Sequence, residues 1–97
     1  MSLKRLVFDW DQWNLQKNEI KHGVSASEAE STFADKAHSL FDDEMHSKTN
    51  ELRFILYGKS FKDRVLMIGF TVRANKIRII TARPASQKER TIYAEKK

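Results

Sequence analysis

The segment Lys21-His22-Gly23 is the local group of residues best suited to chemistry. A histidine titrates near neutral pH and can move a proton in either direction, while an adjacent lysine can hold a phosphate or stabilise charge that develops on it. Gly23 is also a typical helix stop, so His22 could instead only satisfy the negative end of a helix. Local sequence leaves both interpretations open.

The arginines are the second group with chemical potential. RNA cleavage through the substrate's own 2′-hydroxyl needs a base, an acid for the leaving oxygen and cations that stabilise the phosphorane, and it needs no metal. Solvated strand edges and surface ion pairs are the alternative use of such arginines. The residues concerned are Arg53, Arg64, Arg73, Arg78, Arg83 and Arg90.

The acidic segment that precedes His46 has the composition of a metal site but not its spacing. Asp42, Asp43 and Glu44 stand close to this histidine, yet neither an EF-hand pattern nor a His-x-x-x-His pair is present. We therefore expect a solvated loop without metal. The sequence also has no cysteine, no glycine-rich phosphate loop and no catalytic serine motif, so it predicts no cofactor.

The length and charge of the chain limit its domain number, its binding partners and its localisation. A chain of 97 residues that is 40% hydrophobic predicts one domain over residues 1–97. The formal net charge of +5 predicts attraction to phosphate-rich partners or to an acidic protein, although it could serve solubility alone. No apolar run approaches the roughly 20 residues that span a bilayer, and no signal-peptide core occurs, so we expect a cytoplasmic protein without membrane contact.

The helices and strands predicted to position the histidine, lysine and arginine side chains indicate an α+β fold. Local patterns indicate a short strand at Leu6-Val7-Phe8, a helix over 12–21 capped by Asp11, and a second helix opened by the capping box Ser25-Ala26-Ser27-Glu28. The architecture expected is an antiparallel sheet of about four to five strands with two N-terminal helices on one face and a short C-terminal helix. The later strands are predicted at 37–41, 51–59, 64–73 and 76–83, and the last helix follows the capping box at 86–89.

The strand at 76–83 is predicted to lie in the centre of the sheet, because apolar residues occupy both of its alternation classes. A two-residue turn at Ala74-Asn75 would place Val72 opposite Ile77. The helix-covered face is then predicted to contain Leu66, Ile68, Phe70, Val72, Ile77, Ile79 and Thr81.

The opposite face of the sheet is predicted to carry Thr71, Arg73 and Arg78. A one-residue change in the turn would exchange the two faces, because side chains alternate along a strand. The register of the preceding hairpin is not fixed by the sequence, so the face of Arg53 stays open.

An ordered set of short motifs runs along nearly the whole chain. With these motifs the chain resembles the BrnT family, ribonuclease toxins of bacterial type II toxin-antitoxin systems with a RelE-like fold. Two positions depart from the family's pattern. Asn14 stands where the family often has a lysine, and Lys36 stands where it often has a proline. The matching motifs are Phe8-Asp9-Trp10-Asp11, Asn18, Lys21-His22-Gly23-Val24-Ser25, Phe33, Asp35, Asp43-Glu44-Met45-His46-Ser47, Glu51, Arg53, Ile77-Arg78-Ile79-Ile80-Thr81-Ala82-Arg83, Ala85, Glu89-Arg90 and Tyr93.

The resemblance implies an endoribonuclease toxin that inhibits translation and growth. It also implies a BrnA-like antitoxin as partner, with operator DNA contacted only through the antitoxin complex. Carried over by position, the family's Lys-His pair falls on Lys21 and His22, its Glu-x-Arg on Glu51 and Arg53, and its strand arginines on Arg78 and Arg83. We expect Lys21, His22, Glu51 and Arg78 to be catalytic and Arg53 and Arg83 to bind RNA, and we add Arg73 to the RNA-binding residues without a family counterpart.

Each of these positions is interpreted by the chemistry it could supply. His22 is interpreted as the proton-transfer group, and Lys21 and Arg78 as stabilisers of the phosphate and the transition state. The remaining arginines are expected to position RNA. Glu51 is either a second acid or base or the residue that orients an arginine, and we prefer the orienting role.

Two other functions fit the same residues. A nucleic-acid-binding module without catalysis would use the arginines only for phosphate contacts. A protein-interaction domain would use its basic surface only to dock an acidic antitoxin. Both alternatives predict that RNA stays intact.

Overall fold

The fold is a four-stranded antiparallel sheet flanked by helices, seen in a computed structural model that describes residues 6–95. The first five and last two residues of the predicted domain lie outside this range. The strands follow chain order across the sheet and pair antiparallel throughout, which confirms the predicted antiparallel sheet. The elements are α1 (Gln12–His22), α2 (Ala26–Ser31), a short 3-10 helix (Thr32–Ala34), β1 (Ser39–Asp42), β2 (Arg53–Lys59), β3 (Val65–Arg73), β4 (Lys76–Pro84) and α3 (Gln87–Glu95).

The ends of α1 follow the predicted capping residues. Asp11 Oδ1 accepts hydrogen bonds from the backbone N–H groups of Trp13 and Asn14, at 2.8 and 3.2 Å. Gly23 ends the helix in the left-handed region, with φ of 66°, and its N–H donates to the Glu19 carbonyl. Helix α1 is therefore fixed at both ends, which fixes where His22 leaves the helix.

Only one of the two hydrogen bonds of a capping box forms at the start of α2. Ser25 Oγ accepts from the Glu28 N–H at 3.2 Å, as predicted. The Glu28 carboxylate does not reach back to Ser25. It is fully buried and accepts two hydrogen bonds from Arg64, both at 2.7 Å, and one from the Ser60 hydroxyl, also at 2.7 Å. Glu28 thus joins α2 to the β2–β3 turn.

The β3–β4 hairpin has the predicted register over its first half. Ala74 and Asn75 both have positive φ, 52° and 63°, as a two-residue turn of type I′ requires, and Val72 pairs with Ile77. A bulge follows beside Gly69, so Thr81 pairs with Gly69. The prediction that Thr81 lies on the helix-covered face is therefore wrong, because the extra residue shifts the alternation.

Strand β4 lies at an edge of the sheet, so its prediction as the central strand is wrong. Its apolar residues fall on both alternation classes because the bulge places Ala82 on the same covered face as Ile77 and Ile79. The chain before α1 covers part of the outer edge. The Asp9 N–H donates to the Ile77 carbonyl and the Ile77 N–H to the Val7 carbonyl, both at 2.8 Å. The predicted first strand is reduced to this single parallel bridge between Phe8 and Ile77.

The core lies between the sheet and the N-terminal helices, as predicted. Val24, Ala29 and Phe33 pack on the covered face of the sheet, where Ala82 takes the place predicted for Thr81. Val72 points to this face but stays half exposed at the end of the sheet. The buried strand residues are Leu56, Leu66, Ile68, Phe70, Ile77, Ile79 and Ala82.

The opposite face, here called the open face, carries the polar residues of the sheet. Register pairs Arg53 with Thr71 and Thr71 with Arg78, so these three side chains form one row across β2, β3 and β4. This pairing assigns Arg53 to the same face as Arg78, which the sequence had left open.

Helix α3 begins with a complete capping box. The Glu89 N–H donates to Ser86 Oγ at 3.2 Å, and the Ser86 N–H donates to Glu89 Oε1 at 2.8 Å. Glu89 also binds Arg83 of the open face. Helix α3 therefore closes one end of that face.

Candidate active site

A concave cleft of about 280 Å³ lies on the open face of the sheet. Its floor includes Ile55, Met67 and Gly69, and the absence of a side chain at Gly69 leaves room between the strands. The polar residues at its edge come from β2, β4, α3 and the loop between β1 and β2. They are Asp43, His46, Arg53, Thr81, Arg83 and Glu89.

Arg53, which faces the cleft, is one of two arginines that the Glu51 carboxylate joins. Glu51 Oε1 accepts from Arg53 Nε at 3.1 Å, and Glu51 Oε2 accepts from an Arg73 guanidinium nitrogen at 3.0 Å. The hydrogen bond from Arg53 holds the pKa of Glu51 below its usual value of 4.5, with smaller contributions from Arg73. Glu51 is therefore an anion at neutral pH, and it orients two guanidinium groups.

Arg83 is held in the cleft by a two-fold contact with Glu89. Its two terminal nitrogens donate to the two carboxylate oxygens, each at 2.9 Å. This hydrogen bonding raises the pKa of Arg83 above its already high usual value. A guanidinium fixed in this way presents a permanent positive charge with a defined direction.

Arg78 occupies the row of Arg53 but points to a different partner. Its guanidinium donates to Asp9 Oδ2 at 2.9 Å, and this bond lowers the pKa of Asp9. The two arginines lie two strands apart, which is roughly 10 Å at normal strand spacing. Arg78 is not among the residues that line the cleft.

Lys21 and His22 lie at the end of α1, beside the outer edge of β4. Asn18, one turn earlier on the same side of the helix, accepts from the Ala82 N–H at 3.2 Å. Burial lowers the pKa of His22 from its usual 6.5, and the charges of Lys21, Arg83 and Lys17 lower it further. His22 is thus within electrostatic reach of Arg83, although neither His22 nor Lys21 lines the cleft.

The histidine that does line the cleft is His46, which sequence reasoning had placed in a solvated loop. Its Nδ1 lies 2.8 Å from Asp43 Oδ2. The loop is tied to β2, because the Asp43 N–H donates to the Arg53 carbonyl at 2.8 Å and Ser47 Oγ accepts from the Arg53 N–H at 2.9 Å. The short motif Asp-x-x-His-Ser just before a strand was the available signal.

The predicted site residues therefore divide into four places. Arg53 and Arg83 face the cleft, and Glu51 and Arg73 stand beside Arg53. Arg78, bound to Asp9, lies further along the sheet, and Lys21 and His22 lie at the end of α1. Within residues 6–95 no three histidine, aspartate or glutamate side chains are grouped to hold a metal ion. No helix in the same range has the length and apolar character needed to cross a membrane.

The fold is similar to that of a solved protein. The structure is similar to the 1.1 Å crystal structure of the Brucella abortus ribonuclease toxin BrnT, with a TM-score of 0.63. The two chains are 21% identical, and the match covers 84% of this chain and 99% of the other. A comparison with curated proteins gave no match.

Sequence comparison then gives the family. The family model described as "Ribonuclease toxin, BrnT, of type II toxin-antitoxin system" matches residues 10–89. The chain belongs to the BrnT family. The resemblance stated from the motifs and the predicted α+β fold are both confirmed.

Proposed function

We propose that this protein is a metal-independent endoribonuclease toxin of the cytoplasm that binds RNA over the cleft of the open face. The observation that carries the proposal is that Arg53 and Arg83, each fixed by a carboxylate, face the same cleft. Guanidinium groups held in advance bind phosphate and stabilise charge that develops on it at low reorganisation cost. The family to which the chain belongs acts on RNA.

The proposed reaction uses the two arginines of the cleft together with groups that lie outside its lining. His22, whose pKa lies below 6.5, is largely neutral at pH 7 and can accept the proton of the 2′-hydroxyl. The 2′ oxygen attacks the phosphorus, and Arg53 and Arg83 stabilise the phosphorane. Lys21 and Arg78 supply further positive charge, Arg73 positions RNA beside the cleft, and Glu51 orients the two arginines that it bridges.

The direct test is cleavage of RNA by purified protein in the presence of EDTA. We expect wild-type cleavage to continue in EDTA, and His22→Ala and Arg83→Ala to lower the rate by about 100-fold while RNA binding is retained by His22→Ala. Arg90→Ala is the matched control, since Arg90 is an exposed arginine of α3 outside the cleft. Bound but intact RNA would favour the non-catalytic module, and equal cleavage by all variants would reject the site.

Neutralisation by a BrnA-like antitoxin is the second part of the proposal, and operator DNA is contacted only through that complex. Support comes from the outer side of α1, where Trp13 and Ile20 are 73% and 86% exposed, one heptad apart. Lys17 and Lys21 flank this apolar strip, and no carboxylate of the described residues forms an ion pair with them. An amphipathic segment with acidic flanks would fit it.

The antitoxin surface can be tested separately from catalysis. Trp13→Ala combined with Ile20→Ala should weaken binding of the purified cognate antitoxin by at least about tenfold and leave RNA cleavage unchanged. Val7→Ala and Leu40→Ala remove two other half-exposed apolar side chains and serve as controls. Equal antitoxin affinity in wild type and the α1 variant would place the antitoxin elsewhere.

A further inference from the structure

We infer that His46, held by Asp43, is the proton donor to the leaving 5′ oxygen in the proposed RNA cleavage. The inference rests on the proposed function and adds the group that it lacks. His22 is the base in that reaction, and a base on one side of the phosphate requires an acid on the other. His46 is the histidine that the cleft contains.

The carboxylates near the cleft do not provide this acid. Glu51 is held as an anion by Arg53 and Arg73, and Glu89 accepts two hydrogen bonds from Arg83 and one from the Ser86 N–H. An ionised carboxylate only accepts hydrogen bonds and has no proton to give. The imidazole of His46, at the edge of the cleft, is a group that can carry a proton on a ring nitrogen and donate it.

Asp43 gives the imidazole a defined orientation. Both carboxylate oxygens serve His46, since Oδ2 lies 2.8 Å from Nδ1 and Oδ1 accepts from the His46 N–H at 3.4 Å. With Nδ1 engaged, the other ring nitrogen, Nε2, is the one available for proton transfer. The Asp43 carboxylate is only 15% exposed, whereas the His46 imidazole is 60% exposed. This is expected if Asp43 orients the imidazole and the imidazole contacts the substrate.

The loop that carries the pair is fixed to the strand of Arg53. Ser47 Oγ donates to the Asp43 carbonyl at 2.7 Å and accepts from the Arg53 N–H at 2.9 Å. One hydroxyl thus joins the turn of His46 to the arginine that faces the same cleft. The charged groups around His46 are Asp43, Arg53, Arg83 and Glu89, so a phosphate held by the two arginines lies within the same enclosure.

The step balances without an added reagent. The bond between the 2′ oxygen and phosphorus forms as the bond between phosphorus and the 5′ oxygen breaks. His22 receives the proton of the 2′-hydroxyl, and His46 gives its Nε2 proton to the 5′ oxygen. The products are a 2′,3′-cyclic phosphate and a 5′-hydroxyl, and water returns the two histidines to their starting protonation states.

The test compares two RNA substrates that differ in one atom. In the second substrate sulfur replaces the bridging 5′ oxygen at the cleavage site. This sulfur can leave as a thiolate without an acid, because a thiol is far more acidic than an alcohol. His46→Ala should lower cleavage of the oxygen substrate by at least about 100-fold and cleavage of the sulfur substrate by less than about threefold. An equal loss on both substrates, or no loss on the oxygen substrate, would overturn the inference.

Two further variants separate positioning from folding. Asp43→Asn should lower cleavage of the oxygen substrate by about tenfold, because it acts through His46, and the sulfur substrate should again be cleaved normally. His22→Ala should be slow on both substrates, since a base is still required. His38→Ala is the control, because the His38 ring binds the Asp35 carbonyl, outside the cleft.

A binding measurement tests the inference without relying on cleavage. It applies even if wild-type protein cleaves neither substrate, which would reject the proposed function. An RNA oligonucleotide with a single 2′-deoxy sugar at the cleavage site is added to protein with ¹⁵N-labelled histidine. The ring nitrogen signals of His46 should shift on binding and those of His38 should not. Unchanged His46 signals at saturating oligonucleotide would overturn the inference independently of activity.

Discussion

Asn18 Oδ1 accepts a hydrogen bond from the backbone N–H of Ala82 at 3.2 Å, and both residues are buried. This bond connects α1 to the outer edge of β4, where an edge strand has no further strand to receive its N–H groups. His22 follows Asn18 by one helical turn and Arg83 follows Ala82 by one residue. One side-chain contact therefore fixes the separation of a proposed base and a proposed phosphate-binding group.

Asn18→Ala should destabilise the fold by about 1–3 kcal/mol, because it leaves the buried Ala82 N–H without an acceptor. Chemical unfolding in urea measures this free energy directly. Gln16→Ala, an exposed change on the same helix, should alter it by less than about 0.5 kcal/mol. A stable Asn18→Ala protein with unchanged activity would show that the contact positions nothing.

Local signals predicted the elements of this fold well, because caps and turns are decided by near neighbours. Asp11, Gly23 and the turn at Ala74-Asn75 all lie where the sequence placed them. The edge position of β4 was missed, since apolar residues on both alternation classes do not tell which element covers the strand. The bulge beside Gly69 was missed because the shift in alternation that it causes also fits a strand covered on both faces.

The cleft was harder to predict than the fold, because its residues come from distant parts of the chain. The arginines that face it were predicted individually, but the bond from Arg73 to Glu51 depends on strand register and the bond from Arg83 to Glu89 depends on where α3 packs. The place of His46 in the cleft was not predicted, because its loop has no periodicity and because its neighbours there, Arg83 and Glu89, come from β4 and α3. Which arginine pairs with which carboxylate is thus a property of the assembled sheet.

Glu28→Gln should destabilise the fold by about 2 kcal/mol. The carboxylate is fully buried between Arg64 and Ser60, and a neutral amide cannot match the two hydrogen bonds from Arg64. Arg64 is 37% exposed, so water recovers part of the loss and the effect stays below that of a fully buried pair. Glu19→Gln, on an exposed carboxylate of α1, should be neutral in the same urea titration.

The same pair predicts how stability depends on pH. Hydrogen bonds from Arg64 hold the pKa of Glu28 below its usual 4.5, although burial opposes them. A carboxylate with a lowered pKa in the folded state contributes its stability above about pH 4.5, and the contribution is lost as the pH falls through the folded-state pKa. The difference in unfolding free energy between wild type and Glu28→Gln should therefore be constant from pH 5 to 7 and shrink at lower pH. A constant difference down to the acid transition would contradict this.

Glu51→Gln distinguishes an orienting role from an acid or base role. If Glu51 only orients Arg53 and Arg73, the variant should raise KM for RNA several-fold and lower kcat by less than about tenfold. An acid or base at this position would instead lower kcat by about 100-fold or more with little change in KM. Asp63→Asn removes an exposed carboxylate from the β2–β3 turn and is the control for net charge.

Arg83→Gln should raise the pKa of His22. Burial is the largest cause of the lowered pKa, but the charge of Arg83 contributes in the same direction, so its removal lets the imidazole protonate more easily. The acid limb of the pH–rate profile, where the base becomes protonated, should move to higher pH. NMR titration of the His22 ring measures the shift directly, with Arg90→Gln as the control. An unchanged titration would mean that His22 and Arg83 are not electrostatically coupled.

Two glycines of the sheet make a matched pair that separates folding from access to the cleft. A Cβ atom added at Gly58 would lie 2.9 Å from the Thr32 carbonyl oxygen and 2.9 Å from a Leu56 methyl, so the backbone would have to shift. At Gly69 the nearest atom to an added Cβ is Thr81 Cβ at 3.6 Å, an ordinary contact. Gly58→Ala should thus destabilise by about 1–3 kcal/mol, whereas Gly69→Ala should change stability by less than about 0.5 kcal/mol.

For RNA cleavage we expect the reverse, with Gly69→Ala impaired and Gly58→Ala unaffected. Gly69 forms part of the floor of the cleft, and a methyl group there points into the space proposed for RNA. Gly69→Ala should therefore lower kcat/KM for RNA by about tenfold while the protein stays as stable as wild type, and Gly58→Ala should retain its kcat/KM at temperatures where it is folded. If Gly69→Ala cleaved RNA at the wild-type rate, the substrate would have to lie away from the floor of this cleft, and Arg53 and Arg83 would need another role.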